Sequence, residues 1–276
     1  MRTVQIAKDT HAPCLGQGTW NMGENPARRA EEIAALRTGV ELGMTLIDTA
    51  EMYEDGAAEE LIGEALGRVR DDVFLVSKAY PQNASHDRLQ SACEASLRRL
   101  GTDRLDLYLL HWRGRIPLSE TIEGMQALTK AGKIRHWGVS NLDTQDMDEL
   151  IDAGGAACVT DQILYNLTRR GPERDLLPWL SGNGMSAMAY SPVEQGRLID
   201  NVDLALIAAD IAATPAQTAL AWTLRHPNVI AIPKAATIGH VRENRNAADL
   251  ALSDDIVARL DDAFPAPRGP VPLEML

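Results

Sequence analysis

Short apolar runs alternate with longer amphipathic segments along most of the chain. The runs are rich in aliphatic and β-branched residues, as buried strands are, and the segments between them repeat apolar positions at helical spacing. Strands are predicted at VQIA, LIDT, VFLVS, LDLYLL, RHWGVS, CVTDQ, SAMAYS and NVIAIP. Helices are predicted at 27–42, 57–68, 86–99, 119–131, 144–152, 204–212, 215–225 and roughly 239–247. Strands that alternate with helices in this way predict a parallel sheet.

About eight strand–helix units follow one another from Leu15 onward, which predicts an α/β fold of the (β/α)8 TIM-barrel type. The run VQIA precedes these units and is assigned to a cap hairpin. We expect one domain over residues 1–276, with the cap at about 1–14 and a C-terminal tail at 265–276. That tail, PAPRGPVPLEML, either folds over the barrel or is a mobile end, and the sequence does not decide between them.

Three residues carry the features of helix starts. Ser119 precedes Glu120, Asp143 precedes a helical segment, and Thr214 precedes Pro215. Short polar side chains accept hydrogen bonds from the first free amides of a helix, and proline is tolerated at the first helical position. Helices are therefore expected to begin next to these three positions.

Composition limits the partners of the chain. It has 27 Lys and Arg residues against 39 Asp and Glu residues, a formal net charge of -12, without a long basic run. Such a surface repels phosphate backbones and anionic lipids, so neither nucleic acid nor a membrane is expected as a partner. An anionic cofactor would need a local basic site. The N-terminus lacks the apolar segment of a signal peptide, and a cytoplasmic location is expected.

The cysteine pattern argues against a metal site. Cys14, Cys93 and Cys158 are widely spaced and have no neighbouring histidine at zinc-ligand spacing. We interpret all three as reduced structural residues and predict no metal. Acidic pairs such as Asp254 with Asp255 are interpreted as solvated helix residues.

Polar residues that follow strands are the candidates for chemistry, because active sites of such barrels lie at the carboxyl ends of the strands. Asp48 is the third residue of LIDT and Tyr53 follows five positions later, Lys78 ends VFLVSK, and His111 ends LDLYLLH. Taken singly, each has an ordinary explanation: a helix cap, rim packing, or a buried histidine that is hydrogen-bonded. Together they predict one site.

The four residue types fit carbonyl reduction, in which a hydride reaches the carbonyl carbon and a proton reaches the oxygen. Tyr53 can donate that proton if a cation lowers its pKa, and Lys78 can be that cation. A carboxylate at Asp48 would keep the lysine charged. His111 can orient the carbonyl by a hydrogen bond.

The motifs IDTAEMY, VSK, YLLHW, GVSN, AYSP and IPKA, in this order, resemble the aldo-keto reductases from about Leu15 to Asn244. The resemblance implies an NADPH-dependent reductase of aldehydes and ketones with Tyr53 as general acid, Lys78 and Asp48 lowering its pKa, and His111 orienting the carbonyl. The stretch from GQGTWNMGE to AYSPVEQGRL resembles bacterial members that reduce methylglyoxal. A monomer is expected.

The resemblance also implies a set of cofactor-binding positions. Near the nicotinamide these are Gly18, Thr19, Trp20, Asp48, Ser140, Asn141, Gln162 and Tyr190. Along the pyrophosphate they are Ser191, Pro192, Val193, Gly196 and Leu198. Toward the adenosine end they are Ile232, Pro233, Lys234, Ala235, Thr237, His240, Glu243 and Asn244. The substrate is expected to contact Trp20, Tyr53, His111 and Trp112.

Two of these positions depart from the family pattern. His240 lies where an arginine or lysine is expected at the 2′-phosphate, so NADH use is left open beside NADPH. Ala235 replaces a serine that would bind the same phosphate, and Thr237 is a substitute hydroxyl. Two other functions stay open: a cofactor-binding regulatory subunit, and an NAD-linked oxidation of sugars or alcohols.

Overall fold

A two-stranded hairpin precedes the main sheet. The computed structural model describes residues 1–276, apart from the side chain of Arg68. Strands β1 (Thr3–Ala7) and β2 (Thr10–Pro13) pair antiparallel, as expected for the cap hairpin. The division of the chain into cap, barrel and tail at residues 14 and 265 stays a prediction.

Eight parallel strands follow the hairpin and pair in sequence order. They are β3 (Gln17–Gly18), β4 (Leu46–Asp48), β5 (Phe74–Ala79), β6 (Leu105–Leu110), β7 (Ile134–Ser140), β8 (Cys158–Leu164), β9 (Ser186–Tyr190) and β10 (Val229–Ala231). Parallel bridges join Leu15 to Ala231 and Gly18 to Lys234, and the Gly18 amide donates to the Pro233 carbonyl at 3.0 Å. The first and last strands therefore meet, and the predicted (β/α)8 barrel is confirmed.

Ten α-helices connect and follow the strands. They are α1 (Arg29–Glu41), α2 (Ala57–Leu66), α3 (His86–Leu100), α4 (Leu118–Lys130), α5 (Thr144–Asp152), α6 (Leu176–Gly182), α7 (Val202–Asp210), α8 (Pro215–Leu224), α9 (Ile238–Ala247) and α10 (Asp254–Ala263). The eight helices predicted from the sequence are all present, with ends displaced by two residues or fewer. Helix α7 begins two residues early because the Asn201 side chain accepts from the Leu204 amide at 2.9 Å.

The structure corrects three details of the helix prediction. Helix α4 begins at Leu118 with Pro117 as its cap, so Ser119 lies inside the first turn and caps nothing. Helix α6 was missed because Pro178 interrupts its sequence. That proline is the third helical residue, where the amide has no intrahelical acceptor and its loss costs little. Helix α10 was also missed, although Ser253 caps it and Asp254 starts its first turn.

The barrel interior is filled by alternate residues of the strands. Leu46, Val76, Leu109 and Met188 are fully buried and belong to one apolar cluster. Val4 and Ile6 of the hairpin belong to the same cluster, so the hairpin closes the end of the barrel where the strands begin. The opposite end of the barrel, where the strands end, is not covered by the hairpin and is available for a site. Among the described helices no single one is long and apolar enough to cross a membrane; α7 and α8 meet that criterion only together, across an 82° bend.

The cap of α8 gives a test of local stability. Thr214 Oγ1 accepts from the Gln217 amide at 3.2 Å, and the Gln217 side chain accepts from the Thr214 amide at 3.1 Å. Thr214→Ala removes the capping oxygen, and we expect a loss of about 1 kcal/mol in the free energy of unfolding, measured by urea titration. Thr214→Ser retains the hydroxyl and is the control. Equal losses in both variants would show that the methyl group, not the cap, is responsible.

Candidate active site

The period-two alternation of the strands places the candidate side chains at one end of the barrel. Asp48 lies two residues after inward-facing Leu46, and Lys78 lies two residues after Val76. His111 and Tyr190 follow Leu109 and Met188 by the same interval. Because alternate residues of a strand share a face, each side chain points along the barrel axis above a buried core residue. The apolar core thus determines where the polar site lies.

Lys78 is the central residue of this group and is completely buried. Its ammonium donates to Asp48 Oδ2 at 2.8 Å, to the Thr49 carbonyl at 2.8 Å and to Tyr53 Oη at 3.0 Å. An ammonium has three protons, so every one has an acceptor. Burial alone would lower the pKa of Lys78, but the Asp48 carboxylate and the Tyr53 oxygen raise it above its ordinary value. Lys78 is therefore a cation at neutral pH.

Tyr53 accepts a hydrogen bond through the same oxygen that carries its own proton. Among the described residues its hydroxyl proton has no acceptor, and the side chain lines the cavity at the end of the barrel. Burial raises the pKa of Tyr53 above its ordinary value, although the charge of Lys78 acts in the opposite direction. The sequence predicted that Lys78 would lower the pKa of Tyr53. The charge of Lys78 does act in that direction, but the net shift is upward because removal of the hydroxyl from water has the larger effect.

Asp48 connects the lysine to the neighbouring polar residues. Its second oxygen, Oδ1, accepts from Gln162 Nε2 at 2.8 Å, and its carbonyl accepts from Thr19 Oγ1 at 2.9 Å. The side chain of Asp48 is 2% exposed, so this carboxylate is stabilised by its partners and not by solvent. It fixes both Lys78 and Gln162 in position.

His111 is a neutral imidazole next to Tyr53. Burial, followed by the nearby charge of Lys78, lowers the pKa of His111 to about 2. The rings of His111 and Tyr53 meet edge to face with centroids 5.8 Å apart, and the centroids of the His111 and Trp112 rings are 4.9 Å apart. Nδ1 of His111 is buried without a hydrogen-bond partner among the described residues. At neutral pH this histidine can orient a polar group but cannot supply a proton as an imidazolium.

A cavity of about 920 Å³ extends from this group across the ends of the strands. Its size falls within the range of sites that enclose ligands the size of a drug or cofactor. The following sequence-predicted residues line it: Gly18, Thr19, Trp20, Asp48, Tyr53, His111, Trp112, Ser140, Asn141, Gln162, Tyr190, Ser191, Pro192, Val193, Gly196, Ile232, Pro233, Lys234, His240, Glu243 and Asn244. The sequence analysis thus placed its candidates around a single cavity.

Four predicted residues lie off the cavity wall. Lys78 lies behind Tyr53, and Leu198 is 3% exposed and packed in the apolar core. Thr237 caps α9 by accepting from the His240 amide. Ala235 packs against the apolar cluster that fills the barrel interior. The predicted contacts of Leu198, Ala235 and Thr237 with a cofactor stay predictions.

Seven wall residues were missed by sequence reasoning: Asn21, Met52, Gln195, Ile199, Ala216, Met275 and Leu276. Asn21, Met52 and Gln195 each lie within a few residues of a predicted position, so wider windows around the motifs would have included them. Met275 and Leu276 answer the question that the sequence left open, because they place the end of the tail at the cavity.

One end of the cavity presents polar groups suited to an amide. Asn141 has a left-handed backbone (φ 61°), a conformation that asparagine tolerates better than most residues. Its Nδ2 donates to the His111 carbonyl at 3.2 Å, and its Oδ1 accepts from Tyr190 Oη at 2.9 Å. The flat ring of Tyr190 is thereby fixed beside Asn141, Ser140 and Gln162. A carboxamide with a planar ring, such as nicotinamide, fits this donor set.

The other end of the cavity presents a lysine and a histidine. Lys234 and His240 are exposed on the wall, and no acidic residue occupies the first turn of α9. A helix N-terminus with a nearby cation favours phosphate groups. Glu243 is fixed here because its Oε1 accepts from Thr214 Oγ1 at 2.6 Å. The residues present fit a dinucleotide with an anionic end, despite the overall charge of -12.

The chain matches the model of the aldo/keto reductase family over residues 14–264. It is 52% identical to the methylglyoxal reductase YeaE of Escherichia coli, with 100% of this chain and 99% of that protein covered. It is 32% identical to the glyoxal reductase of Bacillus subtilis, with 99% and 97% covered. A crystal structure of an aldo-keto reductase from Klebsiella pneumoniae in complex with NADPH superposes with a TM-score of 0.97, at 51% identity and with 100% and 99% covered.

These similarities extend over nearly the whole chain and agree with the barrel and the arrangement at its end. The chain belongs to the aldo/keto reductase family.

Proposed function

We propose that the chain reduces small aldehydes and ketones, such as methylglyoxal, with NADPH, and that Tyr53 is the general acid. One observation carries this proposal. All three protons of the Lys78 ammonium have acceptors, and one of those acceptors is Tyr53 Oη. The tyrosine oxygen is therefore an acceptor from the lysine and a donor toward the cavity. A proton donor backed by a fixed cation suits a carbonyl oxygen that gains negative charge.

The protein residues have separable roles in this proposal. NADPH, when bound, supplies the hydride that adds to the carbonyl carbon. Tyr53 donates its proton to the carbonyl oxygen, and the Lys78 charge stabilises the phenolate that remains. His111, which is neutral and contacts the rings of both Tyr53 and Trp112, orients the carbonyl by a hydrogen bond. Solvent afterwards returns a proton to Tyr53.

The cofactor is assigned by the chemistry of the cavity ends. Ser140, Asn141 and Gln162 would bind the carboxamide, and Tyr190 would stack on the nicotinamide ring. Lys234 and His240 would bind the phosphates. The Klebsiella pneumoniae structure, which is in complex with NADPH, supports the same cofactor here.

The substrate class follows from the wall near Tyr53. Trp20, Trp112 and Met52 add apolar surface to the cavity that the candidate acid lines, and the end of the tail adds Met275 and Leu276. A compact, uncharged carbonyl compound fits this surface better than a polyol, which would leave hydroxyls unpaired. Methylglyoxal and glyoxal, after which two relatives are named, have this chemistry. The expectations of a monomer and of a cytoplasmic location stay predictions.

The direct experiment is to follow the loss of NADPH absorbance with methylglyoxal as substrate. Turnover would support the reductase proposal. If methylglyoxal, glyoxal and other small aldehydes all failed while NADPH still bound, the regulatory-subunit alternative would replace it.

His240 provides a test of cofactor preference. Arginine adds a permanent charge and a forked set of donors to the wall, both of which favour a phosphate. We expect His240→Arg to lower the Kd of NADPH by about three- to tenfold, because charged hydrogen bonds contribute more than neutral ones but this site is exposed. The Kd of NADH, which lacks the 2′-phosphate, is the control and should not change. Equal changes for both cofactors would place His240 away from the 2′-phosphate.

A preference of the unaltered chain for NADH would favour the alternative of NAD-linked oxidation.

A further inference from the structure

The 191–196 segment, which follows β9, has an unusual backbone. Ser191, Glu194 and Gln195 adopt left-handed φ angles of 46°, 51° and 54° without being glycine. Such conformations are strained and persist only where surrounding contacts enforce them. The segment forms one wall of the cavity, where the pyrophosphate of the proposed cofactor would lie. The conformation of the segment therefore depends on contacts with residues outside it.

Glu194 is the main anchor of the 191–196 segment. This carboxylate is 5% exposed, and Asn166 Nδ2 donates to its Oε2 at 2.7 Å. Arg169 donates to its Oε1 through Nη2 at 2.8 Å and Nε at 3.1 Å, and Arg197 adds a bond of 3.0 Å. Asn166 also donates to the Ser191 carbonyl at 2.9 Å. The loop after β8 thus fixes the segment at Ser191 and at Glu194.

The same loop fixes the tail. Arg170 Nη1 donates to the Phe264 carbonyl at 2.7 Å, and Arg174 Nε donates to the Pro267 carbonyl at 2.6 Å. Arg169 Nη1 donates to the carboxylate of Glu274, next to Met275 and Leu276 on the cavity wall. Arg169 is the one side chain among the described residues that hydrogen-bonds both to the 191–196 segment and to the tail.

We propose that Arg169 is a positioning residue that couples cofactor binding to docking of the tail. Nε and Nη2 of its guanidinium donate to Glu194, and Nη1 donates to Glu274. Arg169 therefore bonds to the tail in this position only when the 191–196 segment has its cofactor-binding conformation. Because the two processes are linked, docking of the tail stabilises the bound cofactor by the same free energy by which the bound cofactor stabilises the docked tail. The chain then completes the substrate wall at Met275 and Leu276 when NADPH is bound. This inference rests on the proposed function for its choice of ligand.

The coupling is tested by a double-mutant cycle on the Kd of NADPH, measured by quenching of tryptophan fluorescence without any substrate. Glu274 does not line the cavity, yet we expect Glu274→Gln to raise the Kd about two- to fivefold, the range of a partly exposed ion pair. Arg169→Met should raise it further. In the Arg169→Met background, Glu274→Gln should have no additional effect. Glu64→Gln removes an exposed partner of Arg29 on the outer helices and is the matched control, with no change expected.

The reverse direction has an independent readout. Glu194 makes no described hydrogen bond to the tail, but Glu194→Gln should release the tail through Arg169. We expect carboxypeptidase to remove Leu276 and Met275 faster from Glu194→Gln than from the unaltered chain, and from Glu64→Gln at the unaltered rate.

Two results would overturn the coupling: an unchanged Kd in Glu274→Gln, or the same effect of Glu274→Gln with and without Arg169. An unaltered chain that failed to bind NADPH would refute the proposed function and this inference together. An unaltered chain that bound NADPH, with Glu274→Gln binding it equally well, would refute the coupling alone.

Discussion

Tyr53→Phe should lower kcat for methylglyoxal about a hundred- to ten-thousandfold, which is the range that a positioned general acid contributes. Phenylalanine keeps the ring against His111 and loses only the hydroxyl that faces the cavity. The Kd of NADPH should change by no more than about twofold. The Tyr53 oxygen hydrogen-bonds to Lys78, and the phosphates are proposed to bind elsewhere, to Lys234 and His240. The measurements are steady-state turnover and fluorescence titration on the same preparation.

Tyr80→Phe is the matched control for this experiment. Tyr80 lies near the site, with its ring 6.0 Å from that of Trp112, but it does not line the cavity. It should keep nearly full turnover. A Tyr53→Phe variant that retained most of the activity would remove Tyr53 as the acid and leave the proton source to another group.

Lys78→Met should destabilise the chain by about 3–5 kcal/mol, the cost of leaving one member of a buried ion pair alone. Asp48 would then be a carboxylate at 2% exposure with only Gln162 as a side-chain partner. Turnover should fall as well, because no cation would remain beside the tyrosine oxygen. Chemical unfolding and the turnover assay measure the two effects separately.

The sign of the pH dependence follows from the raised pKa of Lys78. A raised pKa in the folded state contributes stability that is complete below the unfolded value of 10.5 and disappears as pH rises through the folded value. The difference between the unaltered chain and Lys78→Met should therefore be constant at neutral pH and decrease in strong alkali.

The double variant Asp48→Asn with Lys78→Met controls for the charge. Neutralising both partners removes the isolated carboxylate, so stability should recover by at least half while turnover stays low. If the double variant were as unstable as Lys78→Met, the loss would reflect packing of the lysine stem, not the unpaired charge of Asp48.

The sequence was informative where local pattern and tertiary structure agree. Buried parallel strands are apolar on both faces, so runs such as LDLYLL stand out, and all six residues of this strand are buried. The rule that chemistry follows the strands then singled out Lys78 and His111. Period-two alternation explains why these side chains lie at one end of the barrel, since Val76 and Leu109 face the interior two positions earlier.

Other features depend on contacts distant in sequence and could not be predicted. The path of the tail is determined by Arg170 and Arg174, which bond to carbonyls more than 90 residues away. The net shift of the Tyr53 pKa depends on how completely the hydroxyl is removed from water, which residue type alone does not reveal. The burial of the Leu198 side chain in the apolar core also depends on such contacts.

The two chain ends lie at opposite poles of the barrel, and this has a practical consequence for making the protein. Met1 begins the hairpin at the closed end, remote from the chemistry, so an affinity tag fused there leaves the site unaltered. Leu276 ends on the cavity wall. Residues appended after it would start at the cavity, where the proposed substrate would enter, and a C-terminal tag would become part of that wall.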